Sequence, residues 1–134
     1  MKSHWSDSKA GELVNRLAER GVPEDLSLRV YTTRLLGQDP KLVLHGGGNT
    51  SVKLRATDIV GERHDVLHVK GSGWDMADIE PEGLPAVKLG PLVKLRKLER
   101  LGDEEMVNFE RSNLLDSSAP TPSVETLLHA FLPQ

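Results

Sequence analysis

Three consecutive glycines, Gly46, Gly47 and Gly48, divide this chain into two hydrophobic periods that belong to different kinds of secondary structure. Upstream, Leu13, Val14, Leu17 and Ala18 recur at helical spacing between Ser8 and Arg20, and Gly21 with Pro23 supplies a stop. A second helix is predicted from about Glu24 to Leu36, with Leu26, Val30, Tyr31 and Leu35 on one side and Gly37 and Pro40 closing it. The two read as a helical hairpin. From Lys41 the pattern becomes that of strands: Leu42, Val43 and Leu44 run into the glycines, and Ser51 to Arg55 alternates. Asp65 to Lys70 predicts a second strand, paired with the first as a hairpin across a loop around Gly61 to Arg63 and ended by Gly71 and Gly73.

The remainder mixes both periods. Pro81 to Pro85 reads as a loop and Ala86 to Leu89 as a short strand. The basic stretch from Lys88 to Arg100 carries Leu89, Leu92, Val93, Leu95 and Leu98, which predicts an amphipathic helix with a solvated face. Asp103 to Leu115 predicts another helix, capped by Asp103, with Met106, Val107, Phe109 and Leu114 as its apolar positions. A Ser/Pro linker, Asp116 to Pro122, leads to a last helix from Ser123 to Leu132, with Thr121 as cap and Pro122 in its first position.

Composition narrows the function. A chain of 134 residues suits one domain, or part of one, here taken as residues 1–134. Only five residues are aromatic, so Leu and Val must fill the core. The net charge of −3, with basic residues spread along the chain, argues against a nucleic-acid partner. No apolar run is long enough to span a bilayer, and no cysteine supplies a disulfide, a thiolate ligand or a thiol nucleophile. A cytoplasmic protein without a membrane partner is the expectation.

Three segments have the makings of a binding site. His45-Gly46-Gly47-Gly48-Asn49-Thr50-Ser51 joins bare backbone to neutral hydrogen-bonding side chains, which suits a phosphate or sugar hydroxyl but equally a tight turn needing positive φ. Lys70-Gly71-Ser72-Gly73 ends a predicted strand, where either an oxyanion loop or a plain turn fits. Pro122 to His129 places Ser123 and free backbone donors at a predicted helix start, with Glu125 in the first turn and His129 on the same face. His64 and His68 share a strand face but lack a third ligand nearby, so metal is not expected there. Ser51, Ser72 and Ser123 show no His/Asp relay of a serine hydrolase.

Taken in order, these segments resemble the class II aldolase/adducin N-terminal family, most nearly the aldolase half of bifunctional rhamnulose-1-phosphate aldolase/short-chain alcohol dehydrogenase proteins. The resemblance runs from about Leu26 to the end of the chain and implies an α/β/α sandwich around a largely antiparallel sheet. It implies that Asn49, Ser72, Gly73, Ser123 and Val124 bind the substrate phosphate and that Glu125 is the catalytic acid/base. The implied reaction is retro-aldol cleavage of a ketose 1-phosphate, a carbon–carbon lyase step of rhamnose metabolism, with zinc as Lewis acid and a site near a subunit interface of a homo-oligomer. Family members carry their zinc-binding histidines, including a His-x-His pair, after the helix that bears the acid, whereas nine residues follow Glu125 here. His129 is therefore not carried over as a ligand. The expectation is a C-terminally incomplete aldolase domain that holds no zinc tightly and is inactive alone. The alternative is a non-catalytic binding or assembly module like that of adducin.

Overall fold

In the computed structural model, which describes residues 2–133, each apolar period builds one side of a small sheet. Helix α1 (Asp7–Ala18) begins where the Ser6 hydroxyl accepts the Lys9 N–H, and buries Ala10, Leu13 and Leu17. Helix α2 (Glu24–Gly37) starts after Pro23 and buries Leu26, Val30 and Tyr31. Tyr31 ties the hairpin to the leading segment: its hydroxyl accepts the Ser6 N–H at 3.1 Å, and its ring meets Trp5 edge-on with centroids 5.0 Å apart.

The sheet contains β1 (Ser51–Thr57), β2 (Arg63–Val69) and β3 (Ala86–Lys88) in that spatial order, antiparallel throughout. Ser51 pairs with Val69, Thr57 with Arg63 and Leu67 with Val87. Alternation then sorts the side chains. Val52 and Leu54 pack with α1, α2, Ile79 and Leu84 in one core. Leu67, Val69 and Val87 form the other core with Leu92, Leu114 and Ala130. Helices thus cover both faces of an antiparallel sheet, as expected. Among the described residues, no helix is long and apolar enough to cross a membrane.

Several expectations are corrected. Leu42 to Leu44 forms turns rather than a strand, with Leu44 79% exposed. The basic Leu-rich helix is short: α3 (Leu89–Lys94) passes into a 3-10 turn at Leu95–Lys97. Leu92 is buried and Leu95 packs on the second core, but Leu98 is exposed, so no packing stabilises another turn. Asp103 lies in the first turn of α4 (Asp103–Ser112), and Gly102 is its cap; Asp103, Glu104 and Glu105 there complement the helix dipole. The last helix, α5 (Thr126–Phe131), starts three residues later than expected. Pro122 pairs across an isolated bridge with Gly71, and Ser123 to Glu125 turns into the helix, with the Thr126 N–H on the Ser123 carbonyl. Thr121 is no cap: its hydroxyl accepts from Arg111. Met1 and Gln134, the ends of the expected 1–134 domain, lie outside the described residues.

On α4, the fully buried residue is Glu110 rather than one of the predicted apolar positions. Neither carboxyl oxygen has a hydrogen-bond partner among the described residues, and loss of hydration pushes this acid up from 4.5 to about 7. The folded chain holds a proton that the unfolded chain releases, so Glu110's contribution is complete below about pH 4.5 and is lost as pH rises through 7. Across that window wild type should lose about 3 kcal/mol that Glu110→Gln does not. Urea unfolding of both proteins between about pH 4.5 and 8 checks this, and parallel curves would refute it.

Candidate functional site

The site grows from the start of β1. Asn49 and Ser51, two residues apart, project to the face covered by α5, while Thr50 between them turns to α2, where its hydroxyl meets Thr33 Oγ1 at 2.7 Å. Asn49 Nδ2 donates to Ser123 Oγ at 2.6 Å and to Glu125 Oε2 at 3.3 Å. Asn49 Oδ1 is buried without a partner among the described residues. Ser51 Oγ lies 2.8 Å from His129 Nδ1. These contacts form a two-rung ladder whose spacings match: two residues of strand rise about 6.7 Å and four of helix about 6 Å. Cations hold the far end of α5, with Arg96 donating to the Phe131 carbonyl and the Lys53 ammonium to that of Leu132.

The second glycine loop joins through the backbone. Lys70 N–H donates to the Thr50 carbonyl at 3.1 Å, and the Lys70 carbonyl accepts Ser123 N–H at 3.2 Å. Ser72 N–H donates to the Thr121 carbonyl at 2.8 Å, so that amide is committed to the fold rather than left for an anion. Gly71 permits this seam, because a Cβ there would stand 2.8 Å from Pro120 Cβ. Gly73 lines an adjoining cleft with His45, Gly46, Trp74 and Asp75. Asp75 closes the first loop onto the second: it accepts Ala77 N–H at 3.0 Å and lies 2.5 Å from His45 Nδ1. The Ala77 N–H, then His45, Gly46 and Lys70, hold its carboxyl below the usual carboxylate range.

The structure therefore brings Asn49, Ser123 and Glu125 into one cluster. Ser72 and Gly73 adjoin it through the seam rather than by side-chain contact, and the Val124 side chain is 75% exposed. The glycine run resolves toward a turn: Gly46 and Gly48 have φ of 75° and 77°, and Gly47 N–H donates to the Leu44 carbonyl. Ser51 thus has a histidine neighbour that its sequence surroundings do not announce, while among the described residues no carboxylate hydrogen-bonds the His129 ring. The matched strand and helix spacings of residues 49, 51, 125 and 129 carried the signal of that pairing.

Zinc does not fit beside Glu125 in these residues. The imidazole in this cluster is His129, whose Nδ1 is engaged with Ser51, whereas catalytic zinc takes three protein ligands. Among the described residues, three potential ligand atoms converge only at Asp58, Glu62 and His64, beyond the opposite end of β1.

Burial holds His129 below the ordinary histidine value of 6.5; Glu125 pulls the other way, while Arg29 and Lys53 add to the lowering. The unfolded chain binds this proton more tightly, so His129's contribution is complete above about pH 6.5 and is lost as pH falls. His129→Gln should flatten the fall in Tm on acidification between about pH 7.5 and 5. Equal slopes for variant and wild type would rule out a half-buried, titrating His129.

Comparison with known proteins supplies the wider setting. Residues 28–133 match the class II aldolase and adducin N-terminal domain family. The chain is similar to an uncharacterized oxidoreductase, YuxG, of Bacillus subtilis (strain 168), with 39% identity over 133 residues, covering 99% of this chain and 18% of that protein. It is also similar to the N-terminal class II aldolase domain of a conserved protein from Thermoplasma acidophilum, with 38% identity and a TM-score of 0.84, covering 99% of this chain and 56% of that one.

Proposed function

The chain belongs to the class II aldolase and adducin N-terminal domain family, and from that premise we propose that it supplies the substrate-anchoring and proton-transfer part of a sugar-phosphate aldolase site. The observation behind this reading is the Asn49 amide, which joins Ser123 and Glu125 across more than seventy residues of sequence. In it, Asn49, Ser72, Gly73, Ser123 and Val124 anchor the phosphate of a ketose 1-phosphate, with rhamnulose 1-phosphate the sugar favoured by the resemblance. Ser123 offers its hydroxyl, Val124 its backbone and Gly73 a loop without a Cβ.

Retro-aldol cleavage takes a proton from a hydroxyl, breaks the neighbouring carbon–carbon bond and returns a proton to the enediolate. The exposed carboxylate of Glu125, oriented by Asn49, is the group assigned to that proton. No step is assigned to zinc, because the residues around Glu125 do not make its site. Since the chain spans 18% of the length of YuxG, a partner oxidoreductase domain, as that relative's name suggests, is part of the same proposal.

A second reading, an assembly module, draws on Val124, Leu128 and Leu132, spaced four apart and 75%, 60% and 49% exposed. Homo-oligomerisation through that stripe would be seen by light scattering and weakened by Leu128→Glu.

Titration with a ketose 1-phosphate should shift the amide resonances of Asn49, Ser72, Gly73 and Ser123 with an affinity of about millimolar, and Asn49→Ala should abolish the shifts. Retro-aldol turnover is expected to be absent even with added zinc. Unperturbed resonances at all four positions would defeat the substrate-anchoring reading, and turnover by this chain would defeat the expectation of inactivity.

A further inference from the structure

We infer that the β1–β2 turn is a site for a divalent transition-metal ion of the zinc class, with Asp58, Glu62 and His64 as its ligands. Thr57 pairs with Arg63 and Ala56 with His64, and Asp58 N–H donates to the Glu62 carbonyl at 2.8 Å, so Asp58 and Glu62 stand opposite each other one step beyond the strands. Glu62 directly precedes β2 and stands two residues from His64 within it, so continued alternation places all three side chains on one face of the ribbon. The small side chain opposite His64 is Ala56. Arg55, Thr57 and Arg63 alternate to the other face, so no cation from the adjoining strand positions competes for this one.

The candidate ligand atoms all lie within 4.8 Å of one another. Ligands about 2.0–2.2 Å from a shared zinc stand roughly 3–4 Å apart, so closure needs only small side-chain movements. Asp58 is already oriented: Oδ1 accepts Val60 N–H at 3.0 Å and Glu62 N–H at 2.9 Å, which turns Oδ2 toward His64 Nε2 at 2.7 Å. Two carboxylates directly opposite on a ribbon repel. A divalent cation cancels that repulsion. The imidazole nitrogen favours a transition ion over calcium or magnesium, which prefer oxygen ligands. This site lies apart from Glu125 and does not depend on the aldolase reading. It also revises the expectation that His64 has no third ligand nearby and that the chain holds no zinc tightly.

The test is calorimetric titration of the chain with zinc chloride and, separately, magnesium chloride, followed by nitrogen-15 spectra of the histidine rings. One saturable zinc site is expected, with His64 as the perturbed ring and no saturable magnesium heat. His64→Gln and Glu62→Gln should each weaken zinc binding by more than about tenfold, while His129→Gln leaves it unchanged. The Glu62 carboxylate is exposed and takes no part in the turn's hydrogen bonds, so that variant keeps the hairpin. Zinc binding that survives both substitutions, binding that perturbs another histidine instead, or the absence of saturable binding would overturn the assignment.

Discussion

The backbone of Lys70 carries the connection on which the candidate site depends. Its amide binds the Thr50 carbonyl and its carbonyl takes the Ser123 amide, so one peptide residue locks three distant segments into register. Lys70 is buried, and an unpaired backbone group there would lose about 1–3 kcal/mol. The seam continues in the Gly71 to Pro122 bridge and the bond from Ser72 to Thr121, which is why residues 121–125 cannot join the helix that local propensity suggests. Asn49 then adds the side-chain link from the first glycine loop to Ser123 and Glu125.

Around that seam the sheet separates two jobs. The face bearing Val52 and Leu54 packs on the helical hairpin, and the Thr33–Thr50 hydroxyl pair continues that contact toward the glycine loop. The face bearing Asn49 and Ser51 meets α5, whose last carbonyls are held by Arg96 and Lys53. Both rungs of the ladder are thereby fixed against a helix only six residues long, which would be marginal in isolation.

Much of this architecture was legible in the sequence where a period persists. The first two helices and the β1–β2 hairpin follow from their apolar spacing, and the three candidate segments were recognisable in order. The misreadings arise where tertiary contact overrides local signals. Pro122 looked like a helix-starting proline, yet it pairs with Gly71. Leu98 continued the pattern of a helix that ends before it, because the core stops at Leu95. Glu110 stands three or four residues from Met106, Val107 and Leu114, so helical spacing puts it on the apolar face, but an ionisable side chain there reads as one that reaches solvent. Ser51 and His129 are 78 residues apart, so their contact becomes visible only once strand and helix are placed side by side.

The alternation along β1 has a consequence for the fidelity of folding. Odd-numbered positions face the site and even-numbered ones face the hairpin core, so a slip of one residue would exchange Ser51 with Val52 and Asn49 with Thr50 in the same movement. Such a misfold would expose apolar surface and bury polar groups while dismantling the ladder. Cellular quality control, which responds to exposed apolar surface, would therefore screen for an intact site without ever sensing its chemistry.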